Sequence, residues 1–225
     1  MCIRDSLCSQ RSTLLSQPTI ECTVYGKITN SAYQEVTQYI HEHKDEPISC
    51  MIKKLPQQFP FLDNISVHRL PNKKLTYVAH LQNPIYLFNN THVMTETGSL
   101  VPSTTFDNSL LTHIPHFQVT DHAWLQQNQQ SFFAMCNALD QKTKSHYHIT
   151  FNNPYDVWLQ PKDTATYSLR FCFDQTINES IHTYALTALS DFTQSKKNKG
   201  AIIVIDARFD NQMVLYTQQK GRGRC

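Results

Sequence analysis

Apolar and polar residues alternate with period two in a series of short runs along this chain and recur with helical spacing in four longer ones, and the order of those runs predicts the fold. Thr19 to Tyr25 reads as a strand ended by Gly26. Thr29, Asn30 and Ser31 then supply N-cap chemistry for a helix in which Ala32, Val36, Tyr39 and Ile40 share one face. The polar run His41 to Glu46 and Pro47 close that helix, a second runs from about Ser49 to Leu55, and Pro56 and Pro60 stop it. Asn64 to Leu70 and Leu75 to Leu81 alternate on either side of a Pro71-Asn72-Lys73 turn, which predicts a hairpin. Strand, helix, helix, strand, strand is a complete unit of about 70 residues, with both helices on one face of a three-stranded sheet.

A second sheet begins beyond Pro84. Tyr86 to Phe88, Thr91 to Thr95 and Leu100-Val101 read as strands, with Gly98 as a turn, and Trp124 to Leu139 reads as one helix with Leu125, Phe132, Phe133, Cys136 and Leu139 as its apolar stripe. His146 to Phe151, Asp156 to Leu159 and Thr166 to Phe173 are β-rich. Asn178 opens another helix, with Ile181, Ala185, Ala188, Leu189 and Phe192 on one side and Lys196, Lys197 and Lys199 at its C-terminal dipole. The expected class is therefore α+β, with a β-α-α-β-β domain over residues 19–88 and a larger mixed or antiparallel sheet domain with flanking helices over 89–219. Residues 1–18 are set aside as a disordered or artefactual leader and 220–225 as a frayed basic tail.

The closing hairpin, Gly200 to Tyr216, puts a strand close to the C-terminus, and a terminal strand is expected at a sheet edge. Edges carry unpaired backbone N–H and C=O groups, so such a strand is either protected or used to capture a partner strand. The reading adopted here is a docking edge.

Composition narrows the rest. A net charge of +2 gives no strong field, which argues against nucleic acid, and no apolar run approaches the roughly 20 residues of a membrane span. Seven cysteines include no C-x-x-C pair, which removes zinc-ribbon and thioredoxin-type readings; Cys22 with Cys50 is one pairing left open. Of eleven histidines, only His146 and His148 stand at strand spacing i, i+2, and no nearby Asp, Glu or Cys completes a metal-ligand set. There is no G-x-S-x-G, no S-x-x-K and no phosphate-cradling glycine loop among five glycines. Neither a catalytic residue nor a cofactor is expected. The large aromatics Phe151, Tyr155, Trp124 and Trp158 are expected in the core.

With these elements in order, the chain resembles the extracytoplasmic part of the bacterial cell-division family FtsQ, also called DivIB. Ile20-x-Cys22-x-Val24-x-Gly26 before a capped helix resembles the opening strand of that family's POTRA domain. Phe59-Pro60-Phe61, Val67-His68-Arg69, Pro71-Asn72, Leu75 to Val78 and Pro84 resemble its continuation. Thr95-Glu96-Thr97-Gly98, Ile114-Pro115, Asp156-x-Trp158 and Val204-Ile205-Asp206-Ala207-Arg208-Phe209 resemble landmarks of its second domain. His80 to Pro84 departs from the usual Glu-Arg-x-Pro, Ala207 replaces a Leu, and Gln212 stands where a turn glycine is common.

The resemblance implies a non-enzymatic scaffold that links early and late division proteins during septation. It implies an inner-membrane anchor by a single helix upstream of Thr19, with this region in the periplasm, and other divisome members bound through the POTRA domain. It also implies that FtsB and FtsL are the partners, with an FtsB strand added to the final sheet edge. Arg208, Phe209, Gln212, Met213, Val214, Leu215, Tyr216 and Thr217 are the contact residues so implied. Two other readings stay open: a POTRA-bearing component of outer-membrane protein assembly or secretion, and a metal-dependent hydrolase using His146 and His148.

Overall fold

The computed structural model describes residues 19–71, 74–153, 155–163, 167–172, 187, 202–209 and 212–218. The chain divides into two compact units between Leu81 and Gln82.

In the first unit β1 (Ile20–Tyr25), α1 (Asn30–Glu42), α2 (Ile48–Gln58), β2 (Leu62–Arg69) and β3 (Leu75–Leu81) follow the expected order. The sheet runs β1-β3-β2, with β1 parallel and β2 antiparallel to the central β3. A parallel pair cannot be joined by a tight turn, and the helices lie within the long connection between its strands. Thr29 opens α1 as its side chain accepts from the Ala32 N–H, and Ala32, Val36 and Ile40 turn inward. Met51 and Leu55 of α2 and Leu75, Tyr77 and Ala79 of β3 are buried as well, at helical and period-two spacing respectively. Gly26 ends β1 at φ +131, and a Cβ there would sit 2.5 Å from the Leu81 Cβ, so only glycine fits that bend. One expectation fails: α2 does not stop at Pro56 but continues to Gln58. A proline this near the end removes a single intrahelical donor, and the Phe59 N–H still closes the last turn on the Leu55 carbonyl at 2.8 Å.

The second unit holds β4 (Pro84–Phe88), β5 (His92–Thr95), β6 (Leu100–Pro102), α3 (Asn108–Leu111), β7 (His116–Val119), α4 (His122–Gln127), α5 (Gln129–Ala138), α6 (Gln141–His146), β8 (Tyr147–Asn153), β9 (Asp156–Pro161), β10 (Tyr167–Phe171), β11 (Ile202–Phe209) and β12 (Gln212–Gln218). They build a nine-stranded sheet in the order β12-β11-β10-β9-β8-β7-β4-β5-β6. It is mixed: β10 with β11, β4 with β7 and β7 with β8 are parallel pairs, and the remaining pairs are antiparallel. The main core lies on one face, where Phe88, Phe117, Phe151 and Ile149 of the strands meet Leu125, Phe132 and Cys136 of α4 and α5. Phe132 sits edge-on to Phe88, Trp124 and Phe151, the favoured aromatic geometry. On the other face Leu87, Val93 and Val101 form a buried row across β4, β5 and β6.

The α+β class holds, and several details differ from expectation. Residues 84–88, placed with the first domain from sequence, pair with β5 and β7 and belong to the second unit. The helix read as Trp124 to Leu139 is two, broken at Asn128, whose side-chain amide donates to the Trp124 carbonyl at 2.9 Å in competition with the ladder. Tyr155 is 65% exposed at the turn between β8 and β9 rather than in the core, whereas Phe151 is fully buried. Cys22 and Cys50 are free thiols. The helix expected from Asn178, with Lys196, Lys197 and Lys199, lies outside the described residues, as do the leader and the tail. No helix among the described residues is long and apolar enough to cross a membrane.

Candidate functional site

Gln212 to Gln218 is Gln-Met-Val-Leu-Tyr-Thr-Gln, with no proline and no charge, and it forms β12, the last strand of the large sheet. Its partner is β11, in antiparallel register from Ile202 opposite Gln218 to Phe209 opposite Gln212. Period-two alternation divides its side chains between two faces. Met213 and Leu215 turn toward the main core and are partly buried against it, whereas Val214 (44% exposed) and Tyr216 (37%) face outward and Thr217 is exposed. The strand is thus held by one face and presents the other. Its outer backbone groups have no strand partner among the described residues.

A bulge between Asp206 and Phe209 bends β11 near the turn that leads into β12. Bulges re-aim side chains at sheet edges, and here Arg208 folds back onto Asp206 of its own strand. The Asp206 carboxylate accepts from Arg208 Nε at 2.8 Å and Nη2 at 2.7 Å, and from the Arg208 backbone N–H at 3.2 Å. A second pair stands beside it: Arg170 of β10 donates through Nε and, at 2.8 Å, through Nη2 to Asp156 of β9. Cross-contacts of 3.8 Å from Arg170 to Asp206 and 3.9 Å from Arg208 to Asp156 join the pairs into one neutral cluster of two arginines and two aspartates. Asn152 donates to Asp156 at 3.0 Å, and the Arg170 guanidinium lies 5.0 Å from the Trp158 ring centre.

Burial alone would raise the Asp206 carboxyl, but hydrogen bonds from Arg208 and the charges of Arg208 and Arg170 more than offset it, holding the group below the usual carboxylate range. At Asp156 burial again opposes, and Arg170, Asn152 and the Arg208 charge again prevail. Arg170 is raised, chiefly by its bond to Asp156. Val214 stands opposite Asp206 in the register, so the outward face of β12 and the cluster share one face of the sheet.

The sequence-derived site residues therefore fall into three groups. Val214 and Tyr216 are presented outward, Met213 and Leu215 anchor the strand, and Thr217 is exposed on the anchoring face toward the strand's end. Arg208 is a half-buried member of an ion network, with its fork engaged by Asp206. For Phe209 and Gln212 the register is described and the side chains lie outside the described residues. Asp156, Arg170 and Trp158 were not singled out together from sequence. The sequence carries two i, i+2 pairs, Asp156 with Trp158 and Asp206 with Arg208, but that they meet each other and Arg170 follows from cross-strand pairing.

The histidine pair does not share a strand. His146 ends α6, its Nδ1 2.8 Å from the Lys142 carbonyl and from Ser145 Oγ, while His148 lies in β8. No group of three or more His, Cys, Asp or Glu residues among the described residues is placed to hold a metal ion. A scan against protein-family models finds no match for this chain, and a search of curated proteins likewise finds none.

Proposed function

We propose that this chain is a docking scaffold that captures an extended segment of a partner protein by strand addition along β12. The observation that carries the reading is the outer edge of β12, which has no strand partner among the described residues: seven residues without proline or charge, held through Met213 and Leu215 and presenting Val214 and Tyr216. Strand addition gains affinity from main-chain hydrogen bonds and specificity from alternate side chains.

Within this reading, the resemblance to the FtsQ family supplies the context. The chain acts in bacterial division as a non-enzymatic member of the divisome, anchored in the inner membrane upstream of Thr19 and working in the periplasm. FtsB and FtsL are the partners, with an FtsB strand on β12. The first unit is a POTRA domain that receives other divisome proteins. Support for that assignment comes from the element order β1-α1-α2-β2-β3 and from the β1-β3-β2 sheet with a parallel outer pair. The experiment is affinity measurement between the chain and periplasmic segments of FtsB and FtsL: saturable binding that is lost when β12 is altered supports the proposal, and no binding removes the named partners.

A further inference from the structure

The sheet face of β7 and β8 that turns away from the main core lines a trough of about 670 Å³. His116 and Gln118 of β7 and His148 and Thr150 of β8 lie on its floor, and Lys162, just beyond β9, stands at its side. His116, Gln118, His148 and Lys162 are exposed. No lining residue is acidic, while three can carry positive charge.

The donors are only partly engaged by the protein. Thr150 Oγ1 donates to Gln118 Oε1 at 3.3 Å, which leaves the Gln118 amide nitrogen to donate elsewhere. The Lys162 ammonium gives one N–H to the Lys144 carbonyl at 3.3 Å and retains two. His116 Nε2 faces the Leu111 carbonyl at 3.3 Å, and His148 has no hydrogen-bond partner among the described residues. Pockets that enclose small molecules are mostly apolar, whereas nine of the fourteen residues that line this trough are Asn, Thr, Gln, His or Lys. β7 and β8 run parallel, and their floor residues repeat every second position, about 6.6 Å apart. An extended peptide presents its alternate side chains at the same pitch.

We propose that this trough docks an extended acidic peptide segment of a protein partner. Carboxylates at alternate positions meet Lys162 and His148, and a backbone carbonyl meets the Gln118 amide. β9, β10 and β11 separate the site from β12 in the sheet, so the proposal stands apart from strand addition at that edge.

The test is fluorescence anisotropy of a labelled peptide alternating Glu and Thr, titrated with the full chain, beside the same peptide with Lys for Glu. Saturable binding of the Glu peptide alone is expected, weakened at least about tenfold by His148→Glu and by Lys162→Met. Because His148 is exposed, an unchanged thermal melt of H148E separates lost binding from lost folding. The proposal is overturned by absent binding, by equal binding of the Lys peptide, or by unchanged affinity in H148E. It is also overturned if citrate displaces the peptide at the peptide's own concentrations, or if an oligonucleotide binds as tightly, since the site would then take another class of anion.

Discussion

The two ends of the nine-stranded sheet handle the same physical problem in opposite ways. At one end β6 has three residues, finishes in Pro102, and has its Leu100 N–H bonded at 3.0 Å to the Gln129 side chain reaching from α5. At the other end β12 has seven residues, no proline and no charge, and among the described residues no side chain from elsewhere caps its outer backbone groups. Natural edges are shortened, charged, bulged or covered to prevent unwanted pairing. β6 shows two of those devices. Among the described residues the device near β12 is the bulge, which acts on β11 and not on the outer strand. The small sheet repeats the protected pattern: Tyr33 of α1 donates to the Cys22 carbonyl of its edge strand β1 at 2.8 Å, and its other edge, β2, is bulged. Among the described residues this contrast between the edges is what supports the proposed docking surface on β12.

The largest effect should come from breaking the ion cluster behind β12. Asp206→Ala leaves Arg208 without its main partner and Arg170 with one fewer, and should destabilise the second unit by about 3 kcal/mol, read from denaturant unfolding. The same cluster sets an acid limit. Asp156 and Asp206 are both depressed in the folded chain, so their contribution is complete above the unfolded value of about 3.9 and is lost as pH falls through their folded values. Thermal melts should fall steeply below about pH 4, and Asp206→Ala should flatten that dependence. An unaltered slope in the variant would show that other carboxylates govern acid unfolding.

Smaller effects separate the two ends. Tyr216→Ala removes an outward aromatic and should weaken partner capture by about 1–2 kcal/mol while the fold persists. Gln129→Ala uncaps the Leu100 N–H at the protected end and should cost about 1 kcal/mol of stability with no change in partner affinity. If Gln129→Ala lowered affinity as much as Tyr216→Ala, the distinction between the edges would fail.

Much of this architecture can be read in the residue order. The capped helix after Gly26, the 64–81 hairpin and the closing hairpin all rest on local periodicity and turn chemistry, and they stand where those signals place them. The split at Asn128 was hidden because Leu125, Phe132 and Cys136 keep a helical rhythm across a backbone break. Helix α6 is polar and one and a half turns long. Its signal is Asp140, whose carboxylate accepts from the Thr143 N–H at 2.6 Å, and periodicity does not report it. Strand β7 is four residues, too short for alternation to stand out. The ion cluster is the least legible feature: Asp156, Arg170 and Asp206 come from three strands, and only register makes them neighbours.

The central claim is that β12 binds through its backbone edge. It is tested most directly by pull-down of the chain with periplasmic FtsB and FtsL segments, comparing the parent with Val214→Pro, which removes one ladder donor. With the fold verified by an unchanged first-unit melt and a retained second-unit transition, the account predicts capture by the parent and its loss in the variant. Equal capture by a folded Val214→Pro chain would contradict it and direct attention to another surface.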